Sequence, residues 1–125
     1  MINREGGSYD GDWIKGKYHG LGTFISSSGY SYTGTWLYNT QQGYGYEKWA
    51  DGSTFQGEYT NGEKHGYGKF KWPNSDVFTG QFEHNKMNGT GEYIWASGRK
   101  FIGQWRNSQI IKNSGNFFAG AGEEN

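Results

Sequence analysis

Cysteine is absent from the chain, so neither a disulfide framework nor thiolate chemistry is available to it. Aliphatic residues are scarce: leucine stands only at Leu21 and Leu37, and valine only at Val77. That excludes the Leu/Ile/Val core of an ordinary two-layer domain. No charge of either sign is in excess, since 12 basic residues cancel 12 acidic ones. A non-specific nucleic-acid binder needs a basic surplus to displace counterions, so nucleic acid is not an expected partner. Long apolar runs are missing too. Nothing approaches the ~20 residues that cross a bilayer, and Met1 to Gly7 hold no signal-type apolar region. Ile2 stands where myristoylation requires glycine. The expectation is a soluble, cytoplasmic chain, in which the sequon Asn88-Gly89-Thr90 has no glycosylation to direct.

What the chain does hold is 24 aromatic residues and 23 glycines. So many rings argue against the disorder that a mean hydropathy of −0.98 would otherwise suggest. Rings and glycines recur together every 23 residues. The signature aromatic-x-Gly-x-aromatic opens at Tyr9, Tyr32, Phe55, Phe78 and Phe101, and a Gly-x-Gly follows eleven residues later at Gly20/Gly22, Gly43/Gly45, Gly66/Gly68 and Gly89/Gly91. A fixed period of this length marks a repeat array, each unit being one supersecondary element that needs its neighbours to bury its apolar face.

Counting each repeat from its first aromatic as offset 0, offsets 0, 2 and 4 alternate with polar residues, the period of a strand with one packed face. Turn signals follow at Lys15-Gly16-Lys17 and Asn61-Gly62-Glu63, and more weakly at Asn39-Thr40 and Asn85-Lys86. A second strand then runs Gly-x-Gly-x-aromatic-x-Trp, clearest in Gly66 to Trp72, and closes at Ser28-Gly29, Asp51-Gly52, Pro73-Asn74-Ser75 or Ser97-Gly98. Each repeat therefore predicts a β-hairpin, and the chain an all-β, elongated, single-layer antiparallel meander of about nine or ten short strands. The tip is uncertain by one residue, which moves the pairing register by two. In either register offsets 0, 2, 4, 11, 13, 15 and 17 share one face, with rings lying over the glycine pair. The other face, with Asp10, Asp12, Thr33, Thr35, Gln56, Glu58, Lys69 and Lys71, reads as solvated. The expected organisation is a lead-in over 1–8, an array over 9–107 (units 9–31, 32–54, 55–77, 78–100 and a partial fifth, 101–107), and a cap or tail over 108–125. After Trp105 the expected glycines are replaced by Lys112 and Ser114.

Phe55-x-Gly57-x-Tyr59-x-Asn61-Gly62-x-x-His65-Gly66-x-Gly68-x-Phe70-x-Trp72-Pro73-Asn74 resembles the membrane occupation and recognition nexus (MORN) repeat, whose usual form is Y-x-G-x-W-x-x-G-x-x-H-G-x-G. The first and third repeats keep its histidine (His19, His65), while the second has Gln42 and the fourth Asn88. The resemblance covers residues 9 to 107 in register. It implies a rod-like β-meander with no chemistry of its own. Members serve as scaffolds in cytoskeletal and ciliary assemblies such as radial spokes, as tethers between membranes, or as modules flanking lipid kinases and methyltransferases. Phospholipid binding is also proposed for the repeat.

The candidate site is the aromatic stripe: Tyr9, Trp13, Phe24, Tyr32, Trp36, Trp49, Phe55, Tyr59, Phe70, Trp72, Phe78, Phe82, Tyr93, Trp95, Phe101 and Trp105. A single sheet has no second layer to cover such a face, so the rings form either a core or a groove for a protein partner. Glu47 interrupts them where Phe24, Phe70 and Tyr93 stand in the other repeats. It marks a strand bulge, a local ion pair, or a carboxylate offered to a basic partner. Lys15, Lys17, Lys64 and Lys86 gather towards one set of hairpin tips, an alternative surface for anionic lipid headgroups.

No catalytic set, cofactor, metal or small-molecule substrate is expected. His19 and His65 lie two repeats, roughly 19 Å, apart, and His84 sits at a tip. The Gly-x-Gly pairs stop short of a phosphate loop, with Ile25, Lys48, Lys71 and Ile94 at the third glycine's place. Phe117-Phe118 either folds back over the last strand edge or forms a docking peptide. The leading expectation is a non-enzymatic scaffold of a cytoskeletal or ciliary assembly, and the alternative a membrane tether.

Overall fold

The computed structural model describes residues 7–120. Those residues form strands and turns alone: β1 Ser8–Ile14, β2 Lys17–Ile25, β3 Ser31–Leu37, β4 Thr40–Lys48, β5 Thr54–Thr60, β6 Glu63–Lys71, β7 Val77–Glu83, β8 Lys86–Ile94, β9 Lys100–Arg106, β10 Gln109–Ile110 and β11 Asn116–Phe118. The strands join in chain order into one open antiparallel sheet, with β10 and β11 both pairing with β9. Most of the expected lead-in (1–6) and the last tail residues (121–125) lie outside the described residues.

Each hairpin closes in a two-residue turn whose residues both have positive φ: Lys15-Gly16, Tyr38-Asn39, Asn61-Gly62, His84-Asn85 and Asn107-Ser108. This is the type I′ turn, whose twist matches that of the strands it joins. Its sequence demand explains the recurrent Asn and Gly.

Both pairing registers occur, one on each side of a bulge. In the third repeat Phe55 faces Phe70 and Gly57 faces Gly68, but nearer the tip Tyr59 faces Lys64. Three residues of β6 (His65, Gly66, Tyr67) thus lie opposite Glu58 alone. The first glycine of each pair makes this possible, with φ of 76°, 88°, 99° and 105° at Gly20, Gly43, Gly66 and Gly89. The amide that the bulge removes from the ladder is taken up by the side chain at offset 3: Leu21 N–H donates to Asp12 Oδ2 at 3.3 Å, Tyr67 to Glu58 Oε2 at 3.0 Å and Thr90 to Gln81 Oε1 at 2.7 Å. The two glycines therefore do different work. The second (Gly22, Gly45, Gly68, Gly91) is the platform on which the offset-0 ring lies, with no space for a Cβ beneath it.

The rings bury one another without a second layer. Phe55 meets Tyr59 of its own repeat edge-on at 5.5 Å and Phe82 of the next at 5.0 Å, and Tyr32 and Phe78 repeat the arrangement with Trp36/Tyr59 and Phe82/Trp105. This edge-to-face packing, which suits the ring quadrupoles, leaves Tyr9, Tyr32, Phe55, Phe78 and Phe101 at most 2% exposed.

Successive hairpins are latched at their tips. Asn39 N–H donates to the Tyr18 carbonyl while the Asn39 side chain accepts from Tyr18 N–H, both at 2.8 Å, and Asn85 clasps Lys64 in the same way. Beside this clasp, His19 Nδ1, Gln42 Oε1 and Asn88 Oδ1 accept from the amides of Tyr38, Asn61 and Asn107. In these three repeats the histidine position supplies a hydrogen-bond acceptor, a role that histidine, glutamine and asparagine all fill.

Within the segment expected as a cap or tail, β10 and β11 form the second strand of a fifth hairpin that is one residue longer than the others. Gln109 and Ile110 face Arg106 and Trp105, and Phe117 faces Phe101. Asn113 (φ 63°) supplies the left-handed backbone of the missing bulge glycine, a role asparagine tolerates. Gly115 takes the platform place against Gly103, and Ser114 Oγ accepts from Gln104 N–H at 2.9 Å. Of the two fates left open for Phe117, pairing along the last strand is the one adopted.

Candidate interaction surface

The bulge divides the expected stripe into two layers. Offset-0 rings and the offset-4 rings Trp36, Tyr59, Phe82 and Trp105 are buried, at 0–6% exposed, and present almost nothing to a partner. Trp13, with no described repeat before it, is 40% exposed. The accessible layer lies at offsets 15 and 17, where rings of the next repeat cover the side chains only in part. There Trp49, Phe70, Trp72, Tyr93 and Trp95 are half-buried and in contact in series, with centroid separations of 5.6, 4.6, 5.2 and 4.8 Å. Phe24 and Tyr30 extend the series at one end, and Phe117 continues it from Trp95 at the other.

Facing this row across the same face is offset 9: Tyr18, Gln41, Lys64, Met87 and Ile110, each paired with the offset-4 ring of its repeat. Sequence reasoning passed over four of these as sites and placed Lys64 with the tip lysines. Their signal was available, since 9 has the same parity as 11 and three of the five residues are apolar. A depression between the rows is lined by Lys64, Phe70, Trp72, Phe82, Asn85, Met87 and Ser108.

Glu47 lies within this face, and the strand is not bulged there: Glu47 faces Tyr32 on one side and Phe55 on the other in an unbroken ladder. The residue is 6% exposed and its carboxylate is engaged by three partners. It accepts from the Tyr30 and Tyr59 hydroxyls and pairs with Lys64 Nζ at 3.4 Å. Gln41 Nε2 donates to Tyr30 Oη at 3.0 Å. Burial first, and the neighbouring carboxylate second, hold the Tyr59 and Tyr30 hydroxyls above their ordinary pKa, so both remain donors. Glu47 is thus committed within its own fold rather than offered to a partner. Lys64 is likewise drawn away from the tip lysines: its side chain is 14% exposed and its amine also lies over the Trp49 ring at 5.0 Å. Lys15, Lys17 and Lys86 remain exposed.

The same joint recurs two repeats on with its groups exchanged. Asp76 accepts from the Tyr93 hydroxyl at 2.6 Å, as Glu47 does from Tyr30, and also from Ala96 N–H at 2.8 Å. The Tyr93 hydrogen bond holds the Asp76 carboxyl below the usual carboxylate range. A carboxyl lowered in the folded state contributes stability that is present above the unfolded pKa of about 3.9 and is lost as pH falls through the lower folded value. Urea denaturation of the parent chain and Asp76→Asn is therefore expected to show a stability difference that shrinks between about pH 6 and pH 3. A difference constant over that range would remove Asp76 from the titrating set.

Among the described residues the histidines do not converge on a metal-ligand group. His84 Nδ1 meets Glu63 Oε1 at 3.2 Å, and the His65 and His84 rings lie 5.6 Å apart.

The MORN-repeat family model matches residues 9–29, 32–54, 55–77 and 78–98. The chain belongs to the MORN-repeat family. A comparison with curated proteins finds no match. MORN repeats are in general protein- or lipid-interaction modules and not typically catalytic. The matched segments end at residue 98, yet the MORN hairpin geometry continues through Phe118.

Proposed function

We propose that this chain is a non-enzymatic scaffold module that binds a protein partner along the half-buried row of Trp49, Phe70, Trp72, Tyr93 and Trp95. The supporting observation is the split between two layers of rings. The fold is satisfied by the offset-0 and offset-4 rings, while three tryptophans at offset 17 stay accessible in a contiguous apolar strip, the residue type most enriched at interface hot spots. The depression beside Met87 and Lys64 gives that strip a place for an anchoring side chain. The cytoplasmic, cytoskeletal or ciliary setting rests on the family resemblance alone. A lipid-reading surface has less support, since Lys64 turns inward and the remaining tip lysines share the tips with exposed Glu83 and with Glu63.

The test is crosslinked capture of the partner from native material, followed by titration of that partner against Trp49→Ala, Trp72→Ala and Trp95→Ala. Each tryptophan at a hot spot is expected to cost about 2 kcal/mol or more, roughly 30-fold in Kd. Thr23→Ala and Thr33→Ala on the opposite face should change Kd by less than about twofold. Equal losses from both sets would reject the strip as the binding surface.

A further inference from the structure

The face opposite the rings is not uniformly polar. Tyr44 and Tyr67 are 59% and 60% exposed there, and Tyr46 is 41% exposed. They flank β5, whose side chains on this face are the smaller Thr54, Gln56 and Glu58. Tyr44 and Tyr46 face Glu58 and Gln56 from β4, and Lys69 and Lys71 face Gln56 and Thr54 from β6. Two adjoining depressions result, one lined by Tyr44, Gln56, Tyr67, Gly68, Lys69 and, on β7, Thr79, and the next by Tyr46, Gly52, Thr54, Gln56, Lys69 and Lys71. They share Gln56 and Lys69 and form one trough along β5.

The charges in and beside this trough are sorted, Lys69 and Lys71 lining it and Lys48 and Glu58 adjoining it on the ladder. Lys48, Lys69 and Lys71 stand at the end near Thr54, all exposed and, among the described residues, without an ion-pair partner. Glu58 stands at the other end, its carboxylate held by the Tyr67 amide. The fold does not require this composition, because the repeats themselves serve as a control. At the place of Tyr67 the other repeats carry Leu21, Tyr44 and Thr90; at that of Lys69, Thr23, Tyr46 and Glu92; at that of Lys71, Ile25, Lys48 and Ile94. All occupy the same ladder positions. At these three positions tyrosines and lysines occur in the second and third repeats alone.

We infer that this trough is a second binding surface, for an extended acidic polypeptide segment lying along β5 with its carboxylates over Lys48, Lys69 and Lys71. Lys69 and Lys71 are two residues apart on one strand, about 7 Å, the spacing at which an extended partner presents alternate side chains to one side. Flanking tyrosines supply apolar wall area at small entropic cost, and Glu58 sets the polarity of the bound segment. A lipid surface fits less well, because Lys69 sits mid-strand beside the protruding Tyr67, and Lys48 and Lys71, though they end β4 and β6, flank it on the sheet face and stand away from the hairpin tips. Nucleic acid lacks the basic surplus it requires, at a net charge of zero.

Fluorescence anisotropy with the full chain at low salt tests this, using a labelled peptide of alternating glutamate and glycine. Lys69→Glu/Lys71→Glu is expected to weaken binding by about tenfold, Tyr67→Ala to weaken it measurably, and Lys15→Glu/Lys17→Glu, the same charge change at a tip, to alter it by less than about twofold. Trp49→Ala/Trp72→Ala should leave it unchanged, which keeps the result independent of the ring-face reading. No binding of the peptide, equal losses from the two charge reversals, or binding to phosphatidylserine vesicles in place of the peptide would each overturn the inference.

Discussion

Replacing Gly57 by alanine is expected to destabilise the chain by about 3 kcal/mol, the upper part of the usual range for overpacking. A Cβ at this position would lie 2.6 Å from the Gly68 Cα and 2.6 Å from the Tyr67 carbonyl oxygen. Both are backbone atoms of the paired strand, so relief requires the two strands to separate. That would also lift Phe55 from its platform and loosen the edge-to-face chain through Tyr59 and Phe82. Gly62→Ala is the control. Its φ of 81° strains any other residue, but the nearest atom to a Cβ is 3.5 Å away, so the expected cost is about 1–2 kcal/mol from backbone conformation alone. Denaturant unfolding of the two variants decides the matter. Equal midpoints would show that close approach of Gly57 to Gly68 does not govern stability.

Glu47→Ala should have an effect of similar size, about 3–5 kcal/mol, because it leaves a buried amine and two hydroxyls without their acceptor. Lys64→Met, which copies Met87 of the next repeat, is expected to cost less, since Glu47 retains the Tyr30 and Tyr59 hydroxyls. Glu47→Leu/Lys64→Met should recover part of the single Glu47→Leu loss, as expected of two residues that interact directly. Additive effects in that cycle would mean that the ion pair contributes nothing to the fold. The cycle also bears on specificity. Tyr30–Glu47 and Tyr93–Asp76 place the same two groups in opposite order, while the equivalent positions of the intervening joint hold Ser53 and Phe70. Hairpins cut and rejoined in another order would bring mismatched groups together at these joints.

Much of this was legible in the repeat phase. The hairpins, the single ring-bearing face, the turn residues and the hydrogen-bonding role of His19 all follow from which residues recur at which offset. Glu47 was visible as a break in that phase but not in its meaning. Its principal partner, Tyr30, stands at offset 21 of the preceding repeat, a position with no recurring residue type and therefore no signal of its own. The division of the rings was hidden for a different reason. Offsets 0 and 15 are both aromatic, so periodicity alone treats them alike, and only the packing of Tyr59 and Phe82 on either side of Phe55 shows which ring is covered. Tyr44 and Tyr67 were lost because they alternate correctly as outward residues on a face otherwise full of threonine, glutamine and charge.

The order of residues by itself determined the family, the strands and which side chains share a face, because alternation along an extended chain is a local property that spacing records directly. Tertiary structure alone decided which of the two registers each hairpin adopts, and the answer was both, since the positive φ of Gly20, Gly43, Gly66 and Gly89 lets one strand change register partway along. It alone decided that Asn113 and Gly115 complete a fifth hairpin despite a one-residue insertion, because strand pairing depends on where backbone groups meet in space and not on their count. It also decided which rings are sealed and which remain open to a partner, since burial depends on neighbours supplied by the next repeat.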